Sequence, residues 1–406
     1  MRKRILFIDE DQERNGSTVS LEYLVRGFHE REYEVLVLSW KLAPRFTAGL
    51  TPWATVVDAR RAMVPSITMC VHFICSTPPW SLQGLISIGK DLMKFVAGFI
   101  LVHREIRTQK PDLVYLNEYS VVQASLAAFA CGVPAVVHIR SQMLRGALGV
   151  RRRLVARLVL RFNQSVFAIT RLEAEQLHPR SSERAKISVI GEFVPPPPRG
   201  ISDAGLLREG FGLPAGKSIV AMLGGIKDLK GTIDFLQAAG EVVRAHPDVV
   251  FVVAGGDFRD GSPEHREYYD RCMREVESLR HSGSICMLGG IPNPLDLIAA
   301  SDIIVSPSTL THFSRPVVEA WRLGRPVIAT STEHMRDLIT HESDGLLVDP
   351  GNPHALARAI VRLLEDRRLA LRMAEKGREK AEAEFDAEKN LGVIIDRCDA
   401  HVRRRA

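Results

Sequence analysis

Two consecutive α/β domains, each a parallel sheet with helices on both faces, are the fold class predicted by this sequence. Three observations carry it: the length of 406 residues, a twice-run alternation of short apolar runs with helix-length amphipathic stretches, and a four-proline break near mid-chain. At ~150 residues per domain, the length gives two to three domains. Short continuous apolar runs suit strands buried on both faces, and the amphipathic stretches between them suit the crossovers that parallel strands need.

In the first half, Ile5–Ile8 leads through a glycine-containing loop into a periodic stretch with Leu21, Leu24, Val25 and Phe28. Val35–Leu38, a long irregular region, a helix over 85–107 and a strand-like Leu113–Leu116 follow. A helix at Val121–Cys131 precedes Pro134–Ile139, and another at Arg151–Phe162 precedes Val166–Thr170. Pro195–Pro198 can be neither a helix interior nor a central strand, and reads as an interdomain linker.

The second cycle predicts strands at Ser218–Leu223, Val249–Ala254, Ile285–Leu288, Ile303–Ser306 and Val327–Ala329. Helices are predicted at Gly231–His246, Glu264–Ser282, around Leu295–Ala300, and at Val317–Leu323. Three more, Pro353–Glu365, Leu369–Phe385 and Ala387–Arg403, close the chain. In the last, Leu391, Ile394, Ile395, Cys398 and Val402 share one face, which must pack on something. The domains are therefore read as 1–196 and 197–384, with 385–406 a helix returning to the first.

Composition narrows the class. With 46% hydrophobic and 25% charged residues, the chain is not a disordered tail, a fibrous repeat or a multi-span membrane protein. A net charge of +6 favours anionic partners. The cysteines at 70, 75, 131, 272, 286 and 398 form no CxxC pair, which points to free thiols in a reducing compartment. The first apolar run is too short for a signal sequence, and the charge-free stretch Ala62–Gly89 is interrupted by Pro65, Pro78 and Pro79. No spanning helix is predicted, and the expected location is the cytoplasm, with peripheral contact at the inner face of the plasma membrane.

Ligands of open α/β sheets gather at the carboxyl ends of strands, and three segments there could carry chemistry. Gly16, in Asn15-Gly16-Ser17-Thr18, would let backbone approach a phosphate, or simply make a turn with a hydroxyl cap. Leu223–Gly231, with Gly224, Gly225 and Lys230 before a helix, suits a diphosphate or a solvated basic loop. Ser306–Ala320 ends on a helix in which Glu319 sits among Val317, Val318, Ala320 and Leu323. That carboxylate either faces solvent or holds a sugar diol such as ribose.

GGIKDLKG, VSPSTLTHFSRPVVEAWRLGRPVIAT and DGLLVDPGNPHALARAI together resemble the donor-binding domain of the retaining GT-B glycosyltransferases of family 4. The resemblance covers residues 217–386. The Gly16 loop, Pro111–Asn117 and Val133–His138 resemble the family's acceptor domain more loosely. It implies a GT-B architecture of two Rossmann-like, doubly wound domains facing across a cleft. It also implies transfer of a sugar, with retention, from a UDP-, GDP- or ADP-sugar to a saccharide or lipid-linked saccharide. Neither a metal nor an organic cofactor is implied, and bacterial lipopolysaccharide or polysaccharide assembly is the setting.

Carried over by position, Lys230 is the phosphate-binding lysine and a catalytic group, and Glu319 the ribose-gripping glutamate. Ser314 and Arg315 would address the distal phosphate or sugar, with Phe313 beside them, while Pro316 has no N–H to give. His138 would stand near the transferred sugar as a second catalytic residue, and Gly16 would face the donor. Two positions depart from the family. Gly225 stands where an arginine is usual, and Thr311 where the first glutamate of the E-x7-E pair is usual. Lys227 or Arg315 can supply the missing charge. A GT-B scaffold without transfer activity, or a nucleotide-sugar epimerase, remain the alternatives.

Arg140, Arg145, Arg151, Arg152, Arg153, Arg157 and Arg161 form a basic cluster interleaved with leucines and valines. It reads as a surface for anionic lipid, through Arg151, Arg152 and Arg153, or as a solvated helix face. Without aromatic interleaving apart from Phe162, no nucleic acid is expected as partner.

Overall fold

The computed structural model describes residues 2–9, 16–39, 44–58, 81–143, 149–194, 204–256, 263–280 and 283–403. The linker prolines 195–198, Arg145, Cys70 and Cys75 lie outside them. The chain divides into two compact units: one runs to Phe193 and takes up the chain again from Ala387, and the other spans Val194–Asp386.

The first unit contains β1 (Arg4–Asp9), α1 (Gly16–Glu30), β2 (Glu34–Ser39), α2 (Pro44–Leu50), β3 (Thr55–Asp58) and α3 (Leu82–Gln109). After these come β4 (Leu113–Leu116), α4 (Gln123–Ala130), β5 (Ala135–Ile139), α5 (Val150–Phe162), β6 (Ser165–Ala168), α6 (Arg171–Glu175) and β7 (Ile187–Val189). All seven strands are parallel, in the order β3-β2-β1-β4-β5-β6-β7. Alternation divides their side chains between two cores. Leu6, Ile8, Leu36, Val114 and Val137 face α3, α4 and α5, while Ile5, Phe7, Val35, Tyr115 and Val136 face α1.

That second core is completed by the last helix, α15 (Ala387–Arg403), whose Leu391, Ile394, Ile395, Cys398 and Val402 are all buried there. It crosses α1 closely enough that a Cβ on Gly27 would lie 2.3 Å from Leu391 Cδ2. Lys3 Nζ holds Asp399 at 2.6 Å, and the Tyr33 hydroxyl donates to the same carboxylate.

The second unit contains α7 (Ala204–Gly210), β8 (Ser218–Leu223), α8 (Thr232–Ala245), β9 (Val249–Ala254), α9 (Pro263–Arg280), β10 (Ile285–Gly289) and α10 (Pro294–Ala300). It continues with β11 (Ile303–Ser306), α11 (Arg315–Arg322), β12 (Val327–Thr330), α12 (Glu333–Leu338), β13 (Leu346–Val348), α13 (Pro353–Glu365) and α14 (Arg367–Glu384). The sheet order is β10-β9-β8-β11-β12-β13, again parallel throughout. The order reverses direction between β8 and β11, so the chain leaves these two neighbours toward opposite faces and opens a crevice at their carboxyl ends.

Several elements differ from the sequence reading, among them the short α6, β7, α7 and α12, which it did not include. The region after Val35–Leu38 holds α2 and an edge strand, β3, whose residues are exposed or half-buried and so lack the continuous apolar run that marks the central strands. A 3₁₀ turn at Tyr119–Val121 delays α4 to Gln123, because the Glu118 side chain accepts from Tyr119 N and closes a separate turn. α9 begins at Pro263, one residue before the expected start.

Candidate active site

The loops that leave β8 and β11 are fastened to each other at the reversal point of the second sheet. Lys230 lies in a single 3₁₀ turn, Asp228–Lys230, just before α8. The Leu229 carbonyl accepts from Ser308 Oγ at 2.8 Å, and Asp228 O accepts from Thr309 Oγ1 at 3.2 Å. Gly231 has φ +66, and a Cβ there would lie 1.8 Å from Pro307 O, so only glycine permits this approach. Lys230 Nζ donates to His312 Nε2 at 2.7 Å. An ammonium only donates, so the His312 proton sits on Nδ1, 3.2 Å from Leu310 O and 3.3 Å from Ser308 Oγ.

Electrostatics follow from this enclosure. Burial, then the neighbouring Lys227 charge, pulls the Lys230 ammonium down to about 8. Burial, then Lys230, pulls His312 down to about 4, so the imidazole is neutral at pH 7 and serves as an acceptor. A partly desolvated ammonium at a strand end, with a second lysine beside it, is arranged to hold an anion.

The same loop leads into α11. Ser306 Oγ and Ser314 Oγ lie 2.8 Å apart, bracing the loop across its base. Arg315 Nε donates to Glu319 Oε1 at 2.7 Å one helical turn on, and both side chains are largely buried. Glu319 is therefore not a solvated surface carboxylate. Thr311 Oγ1 accepts from His334 N at 3.4 Å, tying the loop to α12. Phe313 packs on Phe385 with ring centroids 5.9 Å apart.

The first unit carries a buried polar network at its own reversal point, the carboxyl ends of β1 and β4. Asn117 Nδ2 donates to Asp9 Oδ1 at 2.9 Å, and Arg140 Nε donates to Asn117 Oδ1 at 3.0 Å. Arg140 Nη1 reaches Glu192 Oε1 at 2.6 Å, and Ser20 Oγ donates to the other Glu192 oxygen. Gly16 is the first residue of α1, following β1 in the chain.

His138 is the fourth of the five residues of β5. Its ring is wholly buried among Tyr115, Phe167 and Phe193. Nδ1 lies 2.9 Å from the Tyr115 hydroxyl and 3.2 Å from Arg140 Nη2, a group that can only donate. Burial first, then the Arg140 charge, holds its pKa well below the ordinary histidine value. The cause is strand alternation: His138 points to the same face as Val136, into the α1 core, one residue short of the strand end.

Two family models match the chain. "Glycosyl transferases group 1" covers residues 204–380, and "Glycosyl transferase 4-like domain" covers residues 15–191. The chain belongs to the group 1 glycosyltransferases. A D-inositol 3-phosphate glycosyltransferase of Corynebacterium urealyticum is 31% identical over 206 residues, about half of each protein (48% of this chain, 46% of the relative). An Escherichia coli UDP-Gal:alpha-D-GlcNAc-diphosphoundecaprenol alpha-1,3-galactosyltransferase is 24% identical over 75% of this chain and 80% of its own. The crystal structure of Anabaena Alr3699/HepE in complex with UDP superposes with a TM-score of 0.75, covering 98% of this chain and 100% of that one at 21% identity. The likeness places the transferase in the GT-B fold.

The family departures have a structural account. Gly225 has φ +70, and a Cβ would lie 1.9 Å from Gly256 O, so no side chain fits at this position. Near this position stand Lys227 and Lys230, while Arg315 is paired with Glu319. Of the two residues at the E-x7-E positions, Thr311 spends its hydroxyl on α12, and Glu319 keeps its carboxylate. The structure also moves Arg140 out of the surface basic cluster: its side chain is 3% exposed and paired with Glu192. Asp9, Asn117, Glu192, Ser20 and His312 were missed by the sequence reading. A polar residue directly after each apolar run (Asp9, Asn117, Arg140) was the available signal.

Proposed function

We propose that the transferase moves a sugar from a nucleoside-diphosphate sugar to a saccharide or lipid-linked saccharide, with retention and without a metal, in bacterial cell-surface polysaccharide synthesis. The single observation behind this is the Lys230 ammonium fastened at the β8–β11 crevice, one short loop from the buried Glu319. Diphosphate oxygens bound by Lys230 and Lys227 would gain charge as the bond to the sugar C1 breaks, and preplaced cations stabilise that developing charge. The acceptor oxygen bonds to C1 on the face the diphosphate leaves, and the acceptor's proton passes to the departing diphosphate. Glu319, freed from Arg315, would take the ribose hydroxyls, and Arg315 would turn to the phosphates. This reading is supported by Anabaena Alr3699/HepE, crystallised in complex with UDP, and by the Escherichia coli galactosyltransferase, whose name specifies a UDP-Gal donor and a diphosphoundecaprenol-linked saccharide.

Glu319→Gln is the test of the ribose contact. Losing a charged hydrogen bond costs about 1.5–3 kcal/mol, so affinity for the matching nucleoside diphosphate is expected to fall roughly 10- to 100-fold. Calorimetric affinity for the 2′,3′-dideoxy analogue is expected to be equal in wild type and variant. Equal loss for both ligands would remove Glu319 from the ribose.

The pH dependence has a definite sign. Lys230 binds an anion as the ammonium, so diphosphate affinity is expected to be full below about 8 and to fall above it, by up to about tenfold per pH unit. Lys227→Ala removes a like charge that holds this pKa down, so the alkaline limb is expected to move to higher pH. Nucleotide titrations between neutral and alkaline pH check both. An alkaline limb that stays in place in Lys227→Ala contradicts the assignment.

A further inference from the structure

We infer that His312 is the positioning residue of the Lys230 ammonium: its imidazole takes one of the three N–H groups and leaves the other two for diphosphate oxygens. The inference rests on the reading of Lys230 as the anion-binding group and adds a residue to that site. Backbone lies along one side of the lysine stem, since a Cβ on Gly224 would sit 3.1 Å from both Cγ and Cδ and 3.3 Å from Cε. At the head of the stem, His312 Nε2 stands 2.7 Å from Nζ and fixes where the ammonium protons point. Donors aimed in advance cost no reorganisation when charge develops on the ligand.

The donors and acceptors around His312 form a closed circuit with one direction. Ser308 Oγ gives its proton to Leu229 O at 2.8 Å, so it has only lone pairs to offer His312 Nδ1, 3.3 Å away. Leu310 O, 3.2 Å from Nδ1, is a second acceptor. Both keep the imidazole proton on Nδ1, which leaves Nε2 free to accept from Lys230. The circuit runs from Lys230 through His312 and Ser308 to the carbonyl of Leu229, the residue before Lys230, and its bonds reinforce one another. Lys227 and His334 bear electrostatically on the pair, Asp228 adjoins it on the turn, and Arg315 and Glu319 are paired with each other on α11. A carboxylate at position 312 would hold the ammonium too, but would cancel the charge needed by an anion. A neutral imidazole aims the ammonium and leaves its charge intact.

The test uses the full chain. Nitrogen NMR of isotope-labelled histidine, without nucleotide, is expected to show the His312 ring neutral at pH 7 and protonated on Nδ1. Whichever of UDP, GDP and ADP the wild type binds most tightly is then titrated from neutral to alkaline pH. His312→Leu keeps bulk but offers no acceptor, so affinity at neutral pH is expected to fall about tenfold and the alkaline limb to move about one pH unit lower. His312→Gln, whose side-chain carbonyl can accept, is expected to recover most of both losses at an unchanged melting temperature. In the Lys230→Ala background, His312→Leu is expected to cost nothing further. Three results overturn the inference. These are a His312 ring protonated on Nε2, wild-type affinity with an unmoved limb in His312→Leu, or an equal loss from His312→Leu with and without Lys230. Binding of none of the three nucleotides by wild type, or wild-type binding by Lys230→Ala, overturns the reading of Lys230 and the inference with it. Loss in Lys230→Ala with none in His312→Leu overturns the inference alone.

Discussion

Lys230→Ala is expected to lower the rate of sugar transfer by about 10²–10³-fold, the loss associated with removing one preplaced electrostatic donor from a reacting charge. The side chain supplies a partly desolvated ammonium at the end of β8, held in place by His312, and no neighbouring residue can take over its position. Lys227 precedes the turn, and Arg315 enters from the start of α11, so neither stands where the Lys230 ammonium does. Release of nucleoside diphosphate in the presence of an acceptor pool measures the effect. Lys230→Arg keeps the charge but cannot fit the same 2.7 Å contact to His312, so partial recovery is expected. A wild-type rate in Lys230→Ala would remove this lysine from the chemistry.

Glu192→Ala is expected to destabilise the first unit by about 3–5 kcal/mol, since it strands a guanidinium whose side chain is 3% exposed. At roughly 2–4 °C per kcal/mol for a unit of this size, its thermal transition is expected to fall by about 6–20 °C. The replacement also strips Ser20 of its acceptor. Replacing both partners, as Arg140→Met/Glu192→Met, is expected to cost less than the two single changes added together, because no lone charge then stays buried. Calorimetry on the first unit's transition decides. Additive losses would mean that the pair does not act as a unit.

The sheets were legible in the sequence for a plain reason. Central strands buried on both faces must be apolar throughout, and Ile5–Ile8, Leu113–Leu116 and Ser218–Leu223 announce themselves that way. The returning helix was legible as well, because Leu391, Ile394, Ile395, Cys398 and Val402 had to cover something. The edge elements α2 and β3 were not, since half-exposed positions carry no such pattern. Lys230 and Glu319 stood out by their place just beyond strands. The burial of His138 was not legible, because a strand end fixes where a residue stands in the chain, whereas its parity along the strand fixes which face it enters. The Asp9–Asn117–Arg140–Glu192 network joins residues far apart in sequence, and only the sheet order brings them together.

The most direct measurement is a calorimetric titration of UDP, GDP and ADP into the wild-type chain and into Lys230→Ala/Glu319→Ala. The account predicts that at least one of the three binds the wild type and that the double variant loses it. Failure of all three to bind wild type, or binding unchanged in the double variant, would contradict it.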